Sequence, residues 1–151
     1  MHTIKISLIS LLITLSTLSA NDKILGFWLS ESGRAVVEIT KENDTYNGEI
    51  TWLLVEHTGE HNPALDKENP DEKLQARKLK GLKMLSGFKY DDGEYEGGKI
   101  YDPKSGKTYK AYMELENDNK IKLRGYVGIS LFGRTSYWER QKSAVPDKFA
   151  K

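Results

Sequence analysis

Apolar and polar residues alternate along most of the chain, in short runs that are separated by Gly, Asn and Asp. A period of two that is bounded by turn residues is typical of β-strands. It predicts eight strands, at residues 24–30, 34–40, 46–55, 82–90, 95–101, 107–115, 120–127 and 134–140. Short turns join most consecutive strands, so the pattern favours an all-β fold, an eight-stranded antiparallel up-and-down barrel that leaves no exposed sheet edge. A β-sandwich is the structural alternative.

The alternation stops between residues 56 and 80. Within this gap, the run Asn69-Pro70-Asp71-Glu72 has the residues that begin a helix: a capping side chain, a proline at the first helical position, and acidic residues in the first turn. The sequence therefore predicts one short helical insertion between strands three and four, running to about Lys80. An insertion of this length in a compact domain is usually functional or a lid.

The N-terminus has the pattern of a signal peptide. Lys5 gives it a basic start, residues 6–18 are apolar apart from Ser and Thr, and small residues precede Asn21. The apolar run is too short for a membrane anchor. We therefore expect residues 1–20 to be removed on export, leaving residues 21–151 as a single β-barrel domain that is periplasmic or secreted, and soluble after cleavage.

Charge and composition narrow the classes of partner. One of the 23 basic residues lies in the leader, so the mature chain balances its 22 acidic residues. Balanced charge argues against nucleic acid or an anionic membrane as the main partner. There is no cysteine, which removes thiol catalysis and leaves stability to packing alone.

The order of strands in an up-and-down barrel places alternate loops at the same end. The helical insertion and the loop at residues 128–133 therefore share one rim. This loop is apolar in its middle, and the insertion contributes few apolar side chains. We expect them to form a lid over the barrel, made by Leu74, Leu79, Ile129, Leu131 and Phe132.

The first and last strands are expected to close the barrel. Because these strands are antiparallel neighbours, the end of the last strand lies beside the beginning of the first. Arg140 can then stack on Trp28, with Gly26 beside them, as a structural lock. A solvated Arg140 is the alternative.

With these elements in place, the chain resembles a known group of proteins. Gly-x-Trp on the first strand with Arg on the last resembles the signature of lipocalin and wider calycin barrels. The whole mature chain is similar to an uncharacterised family of secreted bacterial proteins with a lipocalin-like fold. The matching residues are Gly26, Trp28, Asp66, Asn69, Pro70, Asp71, Arg77, Gly81, Leu82, 97–103, 106–111, 124–128, 131–135, Trp138 and Arg140. The resemblance implies a calycin-type barrel and carries no catalytic residue with it.

Three motifs that suggest chemistry have simpler explanations. Residues 106–108 read Gly-Lys-Thr, but they lead into a strand, whereas a phosphate-binding loop opens a helix. His57 and His61 have zinc-ligand spacing only if their segment is helical, which the Gly and Pro around them disfavour. Asp91 and Asp92 lie in a hairpin turn, where aspartate is common. We therefore expect no metal, no cofactor and no enzymatic activity.

The sequence favours a protein that binds a small, largely apolar molecule, fatty-acid-like or similar, inside the barrel. By strand parity, the candidate ligand-binding residues are Val37, Ile39, Ile50, Trp52, Leu54, Met84, Phe88, Tyr109, Met113, Leu123 and Trp138. Tyr101, Tyr126 and Arg134 are candidates for a polar rim that orients the ligand. The alternative is a packed interior in an envelope or secreted protein that binds a macromolecule through the apolar rim loop.

Overall fold

A computed structural model describes residues 19–150, and most of the expected signal peptide lies outside these residues. Eight antiparallel strands form one closed barrel in sequential order, and the last strand pairs with the first. The strands are β1 (Gly26–Leu29), β2 (Ala35–Glu42), β3 (Thr45–Leu53), β4 (Lys83–Asp91), β5 (Glu94–Asp102), β6 (Lys107–Asn117), β7 (Lys120–Tyr126) and β8 (Gly133–Gln141). The predicted fold class and strand order are confirmed, with one short helix, α1 (Leu54–His57), after β3.

The helix predicted from Asn69 to about Lys80 does not form, and this part of the prediction is wrong. The segment contains one 3₁₀ turn, Glu72–Leu74, which is capped by Asp71 through a 3.0 Å bond from the Lys73 amide. The Asn69 side chain accepts from the Asp71 amide at 2.9 Å, as a helix cap does, but it also donates to the buried Asp66, and this contact holds the segment in place of a continuing helix. The chain then turns back, and Lys78 forms an isolated bridge with Leu65.

The barrel interior is filled by large side chains for which two glycines leave space. A Cβ on Gly48 would lie 2.8 Å from Leu85, and a Cβ on Gly98 would overlap the ring of Phe88. Both neighbours are fully buried. Close packing of this kind makes the core sensitive to single added methyl groups.

Irregularities in strand pairing change which side chains face inward. Met84 is an extra residue between Lys83 and Leu85 in the β3–β4 ladder, and the pairing shifts again before Phe88. An extra residue interrupts the alternation of faces. Leu85 and Phe88 therefore both face the core, whereas Met84 lies on the outer wall.

The pairing of β2 with β3 shifts between Val36 and Val37, which leaves one extra residue in β3. This extra residue changes the facing of the β3 side chains in the same way. Trp52 pairs with Val36 and faces outward, where its ring stacks on Phe149 at 5.5 Å between centroids. The C-terminal segment with the 3₁₀ turn Asp147–Phe149 thus covers this part of the wall.

Residues before β1 close the other end of the barrel. The Tyr95 hydroxyl donates to the Asn21 carbonyl at 2.7 Å, and the Tyr46 hydroxyl donates to Asp22 at 2.8 Å. The indole of Trp28 donates to the Ile24 carbonyl at 2.8 Å. Because three buried aromatic side chains have their polar atoms bonded to this segment, it forms a fixed plug, and we call this end of the barrel the closed end.

Candidate functional site

The candidate ligand-binding residues divide into a packed group and a smaller, more accessible one. Seven of them are at most 3% exposed and belong to one contiguous core cluster. These seven are Val37, Ile39, Ile50, Phe88, Met113, Leu123 and Trp138. Leu54 lies in α1 and is half-buried, and Trp52 and Met84 face outward. The closed half of the barrel is therefore a core of protein side chains.

Towards the end opposite the plug, the inward-facing positions become accessible. Ile100 pairs with Tyr109, Gly125 pairs with Arg134, and Ser136 follows on the next inward position of β8. Ile100, Tyr109, Gly125 and Ser136 are half-buried, and Arg134 is exposed. We call these five residues the mouth. A Cβ on Gly125 would lie 3.3 Å from the Ile100 side chain, so this glycine makes room for Ile100 at the mouth.

Of the three candidate polar rim residues, Arg134 faces the mouth. Tyr126 follows the inward-facing Gly125 and lies on the outer face of β7. Tyr101 follows the inward-facing Ile100 and is also on the outer wall, where its hydroxyl donates to Asp66 at 2.6 Å. Burial, and then this hydrogen bond to a carboxylate, raises the pKa of Tyr101.

The residues expected to form a lid do not shield one another. Leu74 is 37% exposed, and Ile129, Leu131 and Phe132 are 59%, 74% and 70% exposed. Leu79 packs instead against the core. The helix that was predicted to carry Leu74 and Leu79 does not form, so the two side chains are placed separately, Leu74 in the exposed 3₁₀ turn and Leu79 against the core.

The rim loop, residues 127–132, has a defined backbone despite its exposed apolar side chains. The Val127 amide donates to the Phe132 carbonyl at 3.2 Å. Arg124 donates from Nε to the Ser130 carbonyl at 2.7 Å and from Nη2 to the Leu131 carbonyl at 3.2 Å. The loop therefore presents its apolar groups from a hydrogen-bonded turn.

The proposed lock residues meet at the closed end. The guanidinium carbon of Arg140 lies 4.2 Å from the ring centroid of Trp28. Gly26 has φ of 118°, and a Cβ there would lie 3.2 Å from Arg140 Nη1. Glycine therefore provides both the backbone conformation and the space for this contact. Burial lowers the pKa of Arg140.

A buried polar network, which the sequence does not single out as a site, fixes the insertion to the barrel. Asp66 is 0% exposed, and its carboxylate accepts from Arg77 Nε at 2.8 Å, from Asn69 Nδ2 at 2.9 Å and from the Tyr101 hydroxyl. Gly106 allows the next loop to approach, since a Cβ there would overlap the Glu68 carbonyl. In the sequence, these residues are distinguished only by the family resemblance, since they are among the residues that carry it.

Carboxylates gather in a shallow concavity at the turn between β4 and β5. Glu94 faces Glu114 across the strand pair. Burial, and then the hydrogen bond to Glu114, raises the pKa of Glu94, whereas a 2.8 Å bond from Lys122 lowers the pKa of Glu114. Asp91 and Asp92 lie on the rim of this concavity. Burial of Glu94, together with the hydrogen bonds that link Glu94, Glu114 and Lys122 across β5, β6 and β7, therefore accounts for both shifts.

The histidines considered as metal ligands have other surroundings. The His57 ring lies tilted against Phe149 at 4.6 Å and against Trp52 at 5.6 Å between ring centroids. Within residues 19–150, His, Asp and Glu side chains form no group of three or more that could hold a metal ion. In the same part of the chain, no helix has the length and apolarity that a membrane span requires.

Comparisons with known proteins agree with this architecture. Residues 26–140 match the family model described as "Uncharacterized protein conserved in bacteria (DUF2147)". Protein HP1028 from the human pathogen Helicobacter pylori, described as belonging to the lipocalin family, has a similar solved structure with a TM-score of 0.68 and 23% identity. The similarity covers 82% of this chain and 84% of that one, and at this identity it shows the fold alone. No curated protein matches. Since the family model spans most of the chain, the protein belongs to the bacterial DUF2147 family and has a lipocalin-like barrel.

Proposed function

We propose that the protein binds a small, largely apolar molecule at the mouth of its barrel and acts as a carrier or sensor of that molecule rather than as an enzyme. The observation that carries this proposal is the change in burial along the barrel axis. Inward-facing side chains are fully buried near Trp28 and become half-buried at Ile100, Tyr109 and Ser136. A lipocalin-like barrel in which one half is packed offers a ligand the other half.

The residues of the mouth indicate the chemistry of the ligand. Ile100 and the Tyr109 ring provide apolar contact, and Arg134 is the cation among the five mouth residues. A guanidinium binds a carboxylate through two parallel hydrogen bonds. A fatty-acid-like molecule would therefore place its chain against Ile100 and Tyr109 and its carboxylate at Arg134.

Fluorescence titration with dansylaminoundecanoic acid tests this proposal. We expect saturable one-site binding to the native protein. Gly125→Val fills the mouth and should weaken binding by about tenfold, whereas Lys110→Val, which places the same side chain on the outer face of a neighbouring strand, should change it less than about twofold.

The methyl ester of the same dye separates the polar contact from the apolar one. Arg134→Gln should weaken binding of the acid by about fivefold and leave binding of the ester nearly unchanged. Dye that binds only when the protein is partly denatured would contradict the proposal, and so would equal effects of Gly125→Val and Lys110→Val.

A second candidate function rests on the rim loop. Its exposed Ile129, Leu131 and Phe132 form an apolar surface of the kind that binds other macromolecules. In this case the protein partner would contact the loop, and the mouth would stay empty. A photo-crosslinking residue at Phe132 should then give a discrete protein adduct in the native host that the same group at Lys89 does not give, and the dye should show no saturable binding to the native protein.

We propose that the protein acts outside the cytoplasm, in the periplasm or the medium. The support is the basic, apolar and small-residue pattern of residues 1–20, which precedes a plug that begins at the Asn21 carbonyl. N-terminal sequencing of the protein from its host should begin at Asn21. A mature chain that retains Met1, or that begins after Ile24, would contradict the expected cleavage site.

A further inference from the structure

A groove on the outer wall of the barrel is lined by positive charge. It has a volume of about 700 Å³ and lies between the insertion and the outer faces of β4, β5 and β6. Its lining contains five basic residues and no aspartate or glutamate: Arg77, Lys78, Lys80, Lys83 and Lys99. The whole chain has a formal charge of only +1, so this is a local concentration of charge.

Arg77 is held in the groove with part of its guanidinium available. Nε donates to Asp66 at 2.8 Å, and the guanidinium carbon lies 5.6 Å from the Tyr101 ring centroid. Among the described residues, Nη1 and Nη2 of Arg77 make no hydrogen bond. An arginine fixed through Nε in this way has little rotamer freedom left to lose when an anion binds to its other nitrogens.

Carboxylates near the groove neutralise it only in part. The buried Asp66 offsets the charge of Arg77 through their 2.8 Å ion pair, which leaves the charges of the four lysines. Lys83 pairs with Glu42 at 3.4 Å, but both side chains are more than half exposed, so the pair is weak. Glu49 lies at the edge, 3.9 Å from where a Cβ on Gly81 would be. Within residues 19–150, Lys78, Lys80 and Lys99 form no ion pair.

We propose that this groove binds a multivalent oxyanion, a molecule that carries two or more phosphate or carboxylate groups. A monovalent anion can reach only one or two of the five cations, whereas a larger anion can engage several of them together. Arg77 would bind one oxyanion group in a bidentate manner, and the lysines would act as point charges towards the others. This site lies on the opposite face of the barrel wall from the mouth.

Isothermal titration with tripolyphosphate tests the proposal, with orthophosphate as the monomeric control. The titrations are made at about 0.01 M salt, where charges act over about 30 Å, and again at about 0.15 M. We expect one saturable site that prefers tripolyphosphate at both salt concentrations. The double variant Lys80→Gln/Lys99→Gln should weaken it by at least about tenfold.

The matched control removes two exposed lysines outside the groove, in the double variant Lys89→Gln/Lys142→Gln, and should weaken binding less than about twofold. Equal losses in the two double variants, or no saturable binding at the lower salt concentration, would overturn the proposal. Arg77→Lys should also weaken binding. If Arg77→Lys disturbs Asp66 and with it the fold of the insertion, the double variant Lys80→Gln/Lys99→Gln still tests the proposal.

Two further measurements identify the source of the anion and separate the site from the mouth. Flotation with vesicles that contain cardiolipin, whose headgroup carries two phosphate groups, compared with vesicles of phosphatidylcholine alone, distinguishes a lipid headgroup from a soluble anion. If the anion is a lipid headgroup, the native protein should float with these vesicles and Lys80→Gln/Lys99→Gln should abolish flotation. If the anion is soluble, the native protein should not float, and the variant should weaken only the binding of tripolyphosphate. Binding of the dansyl ester at the mouth should not change in this variant.

Discussion

The contact between Arg140 and Trp28 predicts a large and specific loss of stability when the arginine is removed. Besides stacking at 4.2 Å from the Trp28 ring centroid, Arg140 donates from Nη1 to the Leu25 carbonyl at 2.8 Å. Its other nitrogens donate to the carbonyls of Lys23 and Asp118. One side chain thus joins β8 to the plug and to the turn before β7.

The expected magnitude follows from these contacts. A hydrogen bond from a charged donor to the half-buried Leu25 carbonyl contributes about 1.5–3 kcal/mol. Stacking on the fully buried Trp28 contributes about 1–2 kcal/mol. The two exposed bonds contribute less than about 1 kcal/mol together, because water replaces them. Arg140→Ala should therefore lower the free energy of unfolding by about 3–5 kcal/mol.

Urea denaturation measures this loss, since urea, unlike guanidinium, does not screen the charge. Arg134→Ala, on the exposed beginning of the same strand, is the matched control and should change stability by at most about 0.5 kcal/mol. In a double-mutant cycle, Trp28→Phe and Arg140→Ala should couple by at least about 0.5 kcal/mol. A loss below about 1 kcal/mol for Arg140→Ala, or a cycle that is purely additive, would refute the stacked geometry.

Three further predictions concern other parts of the barrel. Gly98→Ala should lower the unfolding free energy by about 1–3 kcal/mol in urea denaturation, because its methyl group overlaps the Phe88 ring; a loss near zero would mean that the ring has room to move. Hydrogen bonds from lysine and tyrosine side chains lower the pKa of Asp22 below its ordinary 3.8, so its contribution to stability is present above that pH and is lost as the pH falls through the folded pKa. Asp22→Asn should therefore be destabilising at neutral pH, and thermal melts should converge with the native protein in acid; a difference that persists there would refute the assignment. Asp66→Asn should increase amide exchange at Leu79 by at least about tenfold through local opening of the insertion, while Phe88 stays protected; simultaneous loss at both sites would indicate global unfolding.

The architecture was predictable because the strands and turns of an up-and-down barrel each have a characteristic local sequence pattern. Each strand alternates apolar and polar residues, and each hairpin carries turn residues with the required backbone freedom. Sequential pairing then follows from short connections. The contact between Arg140 and Trp28 also follows, since strand order alone places the end of β8 beside β1.

The facing of individual side chains was less predictable, because it depends on where the register of strand pairing shifts. An unbroken alternation of inward and outward residues along β3 and β4 would place both Trp52 and Met84 in the interior. In the structure an extra residue in each ladder places them outside, and Phe149 then covers Trp52. A single extra residue reverses every face beyond it, and the partner strand that accommodates it is distant in sequence.

The predicted helix failed for a related reason, because local preferences competed with a distant partner. Asn69 and Asp71 both suit the start of a helix. The structure uses Asn69 to bind the buried Asp66, which in turn meets Tyr101 on β5. Residues 66 and 101 come together only in the folded barrel, so no local sequence pattern indicates their contact.

The two proposed sites share one wall, and this determines which variants can separate them. On β5, Ile100 faces the mouth, while Lys99 and Tyr101 face the groove. The facing of all three is set by the irregularity between Tyr95 and Gly98 in the β5–β6 ladder. A change to that irregularity would turn Ile100 outward and Lys99 inward at once, so it would remove both sites and could assign a function to neither. A substitution that leaves the ladder intact, such as that of the exposed Lys99 in the groove or of Arg134 at the mouth, tests one site without the other.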